Sequence, residues 1–408
     1  MSEKCKKHVD SCRFCWMCHH ICPIGNATGL ERNTAKGRAL GISLVNRGSL
    51  VLSDIMDNIY ECACCGACVQ DCTTGWDPVM FTKETRLHAA MEGALPEYIN
   101  VLVDNCLETG NAYGAKELDA ELAAAVSNAG GLGLISAINA GTEAVRQEIR
   151  RCRELTDRPF GVNIMLQAPN AGEIASMVVE EGVKILTTGA GSPAQYMSMW
   201  KEAGIKVIPV VASVALALKM QAAGADAVVA EGAESGGHVG ELHTMPLIPQ
   251  VVDALDIPVI AAGGICDGRG AAAAFMLGAD AVQVGTRFLS AEECNVHQEY
   301  KEKILKATDI STIVTGKSLG HPVRSLKTPF SKSFAKMESD PSVTPDEILA
   351  FGSGALRKAV QEGDRNGSYM AGECAGMVRR IEPAAAIVED LILGAEKVIR
   401  DLMTNRFE

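Results

Sequence analysis

From Glu117 onward, helical patterns alternate with short β-rich runs bounded by glycine. A helix over Glu117 to Ala129 leads to a strand at Leu132 to Ser136, and a helix over Thr142 to Leu155 leads to a strand at Phe160 to Met165. Further strands are expected at Lys184 to Thr187, Lys206 to Val210, Ala227 to Ala230, Pro258 to Ala261 and Ala281 to Val284. Such runs separated by helices imply parallel strands and an α/β fold, a TIM-type (β/α) barrel. Seven strands emerge where a closed barrel takes eight, so one is missing or disguised. Upstream, the segments from about Thr34 to Tyr60 and from Pro78 to Cys106 read as helical. The latter carries Val79, Phe81, Leu87, Met91 and Leu95 in a loose helical pattern that ends at Pro96.

Composition divides the chain at the same place. Of 15 cysteines in 408 residues, ten precede residue 73, whereas Cys106, Cys152, Cys266, Cys294 and Cys374 are scattered singly. Glu108 to Lys116, rich in turn residues and without apolar periodicity, is the expected hinge between a domain over residues 1–115 and one over 116–408 with a C-terminal helical extension. No charged leader followed by an apolar core opens the chain, so a cytoplasmic location is expected, and there cysteines serve metal or redox chemistry before disulfides. The longest apolar run, Val207 to Leu218, is broken by Pro209 and Ser213 and is too short for a membrane span. A net charge of −12 argues against non-specific nucleic-acid binding.

Cys12, Cys15, Cys18 and Cys22 follow the spacing C-x2-C-x2-C-x3-C, with Pro23 next; the spacing recurs at Cys62, Cys65, Cys68 and Cys72, with Thr73 in the proline's place. Three thiolates at successive two-residue gaps wrap three corners of a cubane, and the fourth commonly ligates the other cluster. The expected sets are therefore Cys12, Cys15, Cys18 and Cys72 on one [4Fe-4S] cluster and Cys62, Cys65, Cys68 and Cys22 on a second. A pair of structural zinc sites is the alternative. Cys5 and Cys64 fall outside the repeat. The spacing, with its long helices, resembles the all-α, ferredoxin-like domains of heterodisulfide-reductase and glycerol-3-phosphate-dehydrogenase C-type subunits over roughly Lys4 to Gly114.

In the second region, Ala230 to Gly240 reads AEGAESGGHVG and sets His238 in a glycine-rich loop directly after a strand. The loops after the last two strands, Gly263-Gly264-Ile265 and Gly285-Thr286-Arg287, occupy the positions where barrels hold phosphate through backbone N–H groups. With GVNIM (161–165), TTGAG (187–191), PVIAAGGI (258–265), QVGTRF (283–288) and MAGECAG (370–376), the region from about Leu118 to Gly394 resembles the flavin-dependent enoyl-acyl-carrier-protein reductases of fatty-acid biosynthesis and their nitronate monooxygenase relatives. In that family glutamine more often stands where this chain has Glu373.

The resemblance implies FMN at the C-terminal barrel mouth. Asn163 would hydrogen-bond the flavin ring; Gly263, Gly264, Gly285 and Thr286 would hold the phosphate; Glu231 and Ser235 would line the ribityl side, and Gly237 would also bind the cofactor. His238 would act on the carbonyl of a trans-2-enoyl thioester, as hydrogen-bond donor or proton relay, with NADH or NADPH as co-substrate. Expected partners are acyl carrier protein or an acyl-CoA thioester, a ferredoxin-like redox partner, and a second copy of the chain as a homodimer. Lys317, Arg324, Lys327, Lys332 and Lys336, in a stretch with no acidic residue, would steer an acidic carrier protein, unless they are simply a solvated face. Alternatives are a nitronate monooxygenase with His238 as base, or an electron-transfer subunit with a non-catalytic barrel. Family members open with a strand and a Gly-Gly-Met turn that this chain lacks. Either Val101 to Val103 or another upstream segment replaces that strand, or the barrel is open.

Overall fold

The computed structural model describes residues 2–109, 119–137 and 141–405. The chain folds as two compact units, Met1–Gly114 and Ala115–Glu408. Most of the expected hinge, from residue 110 on, lies outside the described residues.

The first unit is helical. Ser2 caps the helix Glu3–Cys12, its hydroxyl accepting from Cys5 N, and the buried residues Cys5, His8, Val9 and Cys12 fall on one stripe at helical spacing. Thr34 caps Ala35–Asn46 in the same way, burying Ala35, Arg38, Ala39, Ile42 and Ser43. Asp77 and a proline at the first helical position start Pro78–Glu92. Its buried face differs from the one expected. Leu87 and Met91 are exposed, and Pro78, Phe81, Thr82, Thr85 and Ala89 turn inward. The threonines can be buried because their hydroxyls donate to the carbonyls of Pro78 and Phe81, four residues back, at 2.8 and 2.7 Å. The segment Val101 to Val103 is not a strand. It lies in the helix Glu97–Thr109, where Glu97 sits in the first turn after Pro96.

The second unit is built on a parallel sheet of seven strands in sequential order: β1 (Gly133–Ser136), β2 (Phe160–Met165), β3 (Ile185–Gly189), β4 (Lys206–Val211), β5 (Val228–Glu231), β7 (Val259–Ala262) and β8 (Ala281–Gln283). Helices cross between successive strands and pack outside them, giving a half-barrel of the TIM type. Among the described residues β8 and β1 do not pair. Pairing is in step along the sheet: Asn163 of β2 stands beside Thr187 of β3, and Glu231 of β5 beside Ala262 of β7. The core is continuous, from Ala123 and Ile135 through Val162, Leu186, Val228 and Ala261 to Ile387 and Leu391. Those last two belong to the long helix Ala384–Asn405, which approaches the helix Gly268–Met276 so closely that a Cβ at Gly268 would lie 2.3 Å from the carbonyl carbon of Gly394.

A second sheet has no counterpart in the sequence reading. It is three-stranded and antiparallel, in the order β6 (Gly237–His238), β10 (Val323–Leu326), β9 (Thr312–Thr315), with Val323 opposite His238. β6 was hidden because it has two residues and sits inside a glycine-rich loop; its partner lies more than eighty residues downstream.

Candidate functional site

In the first unit each cysteine run is bent by its own local chemistry. Cys22 caps the helix Pro23–Thr28, its sulfur accepting from Gly25 N at 3.4 Å. Arg86 clamps the second run from behind by donating to the carbonyls of Ile59, Tyr60 and Cys62, the last at 2.6 Å. Gly66 and Cys64 take positive φ, +81° and +51°, which turns the chain sharply enough to gather Cys62, Cys65 and Cys68. Those three thiols and Cys22 line one small cavity of about 20 Å³. Cys15, Cys18, Cys68 and Cys72 lie near enough to Cys12 to act on its thiol electrostatically. The last cysteine of each run thus sits with the other run.

Burial first, and then the neighbouring thiols, push Cys12 and Cys68 up to about 12. Burial would raise Cys72 too, but hydrogen bonds from Thr74, Trp76 and Gly75 outweigh it and hold that thiol below its ordinary value. Among the described residues no three His, Cys, Asp or Glu side chains close to the distances that hold a single ion. The donor set, eight thiols in two crossed groups, suits a polynuclear cluster with one thiolate per iron.

In the second unit the residues expected at the cofactor converge on the C-terminal ends of the strands. Asn163 lies on β2, and Thr187 Oγ1 donates to its Oδ1 at 2.9 Å, which fixes the amide so that its NH₂ points away from β3. Glu231 ends β5, and burial pushes its carboxyl up to about 7. Ser235 Oγ is buried and makes no hydrogen bond of its own among the described residues. Beyond it Gly237 takes φ +81°, and His238 is exposed at the mouth. Protein crowding one side of the imidazole, with His321 beside it, lowers the His238 pKa. His321, which sequence reasoning missed, comes from the turn between β9 and β10, where its N–H donates to Gly316 O at 3.0 Å. The only signal for it was a second glycine-histidine pair, Gly320-His321.

Gly263 and Gly264 both lie at positive φ, +100° and +75°, and a Cβ on Gly263 would meet Gly232 O at 2.8 Å. Two loops therefore pass at backbone distance. Glu234 holds this crossing by accepting from Thr244 N and Oγ1, while Thr244 Oγ1 also reaches Gly263 O at 2.9 Å. An open cavity of about 340 Å³ runs from Gly263, Gly264 and Ile265 past Glu234 and Glu373 to Cys374. Gly285 leaves space for a Cβ, so no close approach requires glycine there. Thr286 Oγ1 accepts from Gly372 N at 2.9 Å, tying the loop after β8 to the MAGECAG segment.

Arg324 corrects the expectation of a steering surface. It is buried, donates to Ala233 O at 3.0 and 3.1 Å, and pairs with Glu373 at 2.9 Å. Its charge holds the His238 loop rather than facing solvent, and Glu373 in place of glutamine supplies the matching anion. Lys317, Lys327, Lys332 and Lys336 are exposed.

An unpartnered buried hydroxyl, a paired-glycine cradle and an amide oriented by its neighbour are features that fit FMN. The fold and site define a flavin-type (β/α) barrel oxidoreductase joined to a cysteine-rich helical unit. Residues 118–394 match the nitronate monooxygenase family, and residues 8–76 match the 4Fe-4S dicluster domain. The chain belongs to the nitronate monooxygenase family, whose members are flavin-dependent oxidoreductases, and carries an N-terminal 4Fe-4S domain.

The structure of FabK from Thermotoga maritima is 49% identical with a TM-score of 0.69, covering 71% of this chain and 92% of that one. A probable nitronate monooxygenase of Staphylococcus saprophyticus is 33% identical over 68% of this chain and 92% of its own length. The (3aS,4S,5R,7aS)-5-hydroxy-7a-methyl-1-oxo-octahydro-1H-indene-4-carboxyl-CoA dehydrogenase of Mycobacterium tuberculosis is 41% identical over 54% of this chain. This chain spans 62% of that protein's length. No described helix is long and apolar enough to cross a membrane.

Proposed function

We propose that the chain is an FMN-dependent reductase of trans-2-enoyl thioesters. NADH or NADPH serves as reductant, and residues 1–115 carry electrons through two [4Fe-4S] clusters, exchanged with a ferredoxin-like partner. The observation that carries this reading is His238, on a strand that pairs with β10 and reached from Glu231 at the end of β5 through a glycine-rich loop that buries the unpartnered Ser235 hydroxyl. The likeness to FabK supports an enoyl substrate, and the CoA dehydrogenase relative supports a thioester.

FMN supplies hydride exchange between a nicotinamide and the β-carbon of a conjugated thioester, and the clusters supply single electrons. Asn163 holds the ring through its fixed amide. Ser235 and Glu231, the latter largely protonated below about pH 7, donate to ribityl hydroxyls. The backbone amides of Gly263, Gly264, Gly285 and Thr286 take the phosphate. His238, neutral to lower pH than an ordinary imidazole, donates an N–H to the thioester oxygen as charge gathers there.

The test is anaerobic reduction of crotonyl-CoA by NADH or NADPH, with the flavin and cluster spectra recorded. His238→Ala should lower kcat by about 100-fold while stability changes by less than about 0.5 kcal/mol. Full activity in that variant, or no FMN retained by the intact chain, would sink the assignment. A second reading, nitronate oxidation, is favoured by the family match and the Staphylococcus relative. It predicts oxygen uptake with a nitronate and no enoyl reduction.

A further inference from the structure

Two cysteines scattered singly in the sequence meet in the second unit. Cys266 follows the Gly263-Gly264-Ile265 turn after β7, and Cys374 lies in the short helical turn Glu373–Met377. Both are buried in one cluster. Cys374 Sγ is 3.9 Å from the carbonyl oxygen of Ile265, the residue before Cys266, and each of the two thiols is the strongest influence on the other's titration. Arg287 reaches the same point, donating to Cys266 O at 3.5 Å, and is itself held by Glu382. The Cys374 thiol and the Arg287 charge outweigh burial and lower the Cys266 thiol, whereas Cys374 is raised and keeps its proton. Cys374 and Ile265, the neighbour of Cys266, also line the 340 Å³ cavity, so a small solute has a route to the Cys374 side of the pair.

A thiolate beside a guanidinium, next to a second thiol that keeps its proton, is the arrangement of an attacking and a resolving sulfur. We propose that Cys266 and Cys374 form a dithiol site that is oxidised by hydroperoxides and closes reversibly to a disulfide. The Cys266 sulfur attacks one peroxide oxygen, the O–O bond breaks, and a sulfenic acid forms as hydroxide leaves. The Cys374 sulfur then displaces that oxygen, the Cys374 proton joins it, and water departs. In sum, two thiols lose two electrons and two protons, and one hydrogen peroxide becomes two waters. The identity of the oxidant in the cell rests on the flavin reading, since a reduced flavin that met oxygen would generate peroxide. The covalent step does not depend on it.

The experiment uses full-length holoprotein purified without oxygen. It is given a stoichiometric dose of hydrogen peroxide, quenched with catalase, unfolded in N-ethylmaleimide and digested. A peptide joining Cys266 to Cys374 should appear and vanish with dithiothreitol. Cys266 should also be consumed about tenfold faster than the buried Cys152 and Cys294, whose thiols burial raises. In Cys374→Ser, dimedone should capture a sulfenic acid at Cys266. Recovery of Cys266 and Cys374 as separately alkylated residues, or consumption no faster than Cys152 and Cys294, overturns the proposal. Because the readout is a peptide mass, loss of the flavin assignment would leave this test intact.

Discussion

The two units hold their chemistry by opposite means. In the first, Cys12 is both a core residue and an expected ligand, and the apolar core beside it is short: Val9, Ile42, Ile55, Met56, Ile59 and Phe81 with a few alanines. In the second, a continuous core of valine, isoleucine and alanine runs the length of the half-barrel, and the candidate residues stand on loops that leave it. Where functional groups are also the core, stability and chemistry cannot be separated; where glycine loops rise from an independent core, they can.

The largest effect that would sharpen this contrast is loss of metal. Chelation, or Cys62→Ala with Cys68→Ala, should abolish amide-exchange protection across residues 2–109 while the strands of the second unit stay protected. Equal loss in both units would break the distinction. Next is Arg324→Ala, which strands Ala233 O and frees Glu373; denaturant unfolding should show a loss of about 3 kcal/mol. Gly263→Ala brings a Cβ onto Gly232 O at a positive φ, and should cost about 2 kcal/mol with weaker FMN retention, measured by flavin fluorescence.

The effect confined to high pH is that of Glu231→Gln. The folded carboxyl, at about 7, lies above its unfolded value, so the native state holds a proton that the unfolded chain releases. Stability from this group is complete below the unfolded pKa and is lost as pH rises through about 7. The amide does not ionise, so the variant should gain up to about 3 kcal/mol over the parent at pH 8 and nothing at pH 4, read from melting curves at both pH values. A gain that is the same at both would show that Glu231 is not buried as a neutral acid.

Much of this organisation was legible in residue order because its signals are local. The seven strands are found within one or two residues of their expected places, since short β-rich runs closed by glycine reveal themselves without knowledge of partners. Helix faces were less legible. Leu87 and Met91 fit an apolar pattern yet face outward, and two threonines took the buried positions once their hydroxyls found backbone carbonyls. Arg324 read as a surface charge because nothing local announces that Ala233 O and Glu373 surround it. His321 and the three-stranded sheet were unseen for the same reason.

The chain by itself determined its division into two units, the spacing of eight thiols, the parallel strands and the glycines that let loops cross, because each is a property of neighbouring residues. Only the tertiary structure decided that Arg324 anchors the His238 loop and that Cys266 meets Cys374. Those outcomes depend on contacts between segments far apart in sequence, and the packing of the whole unit selects among them.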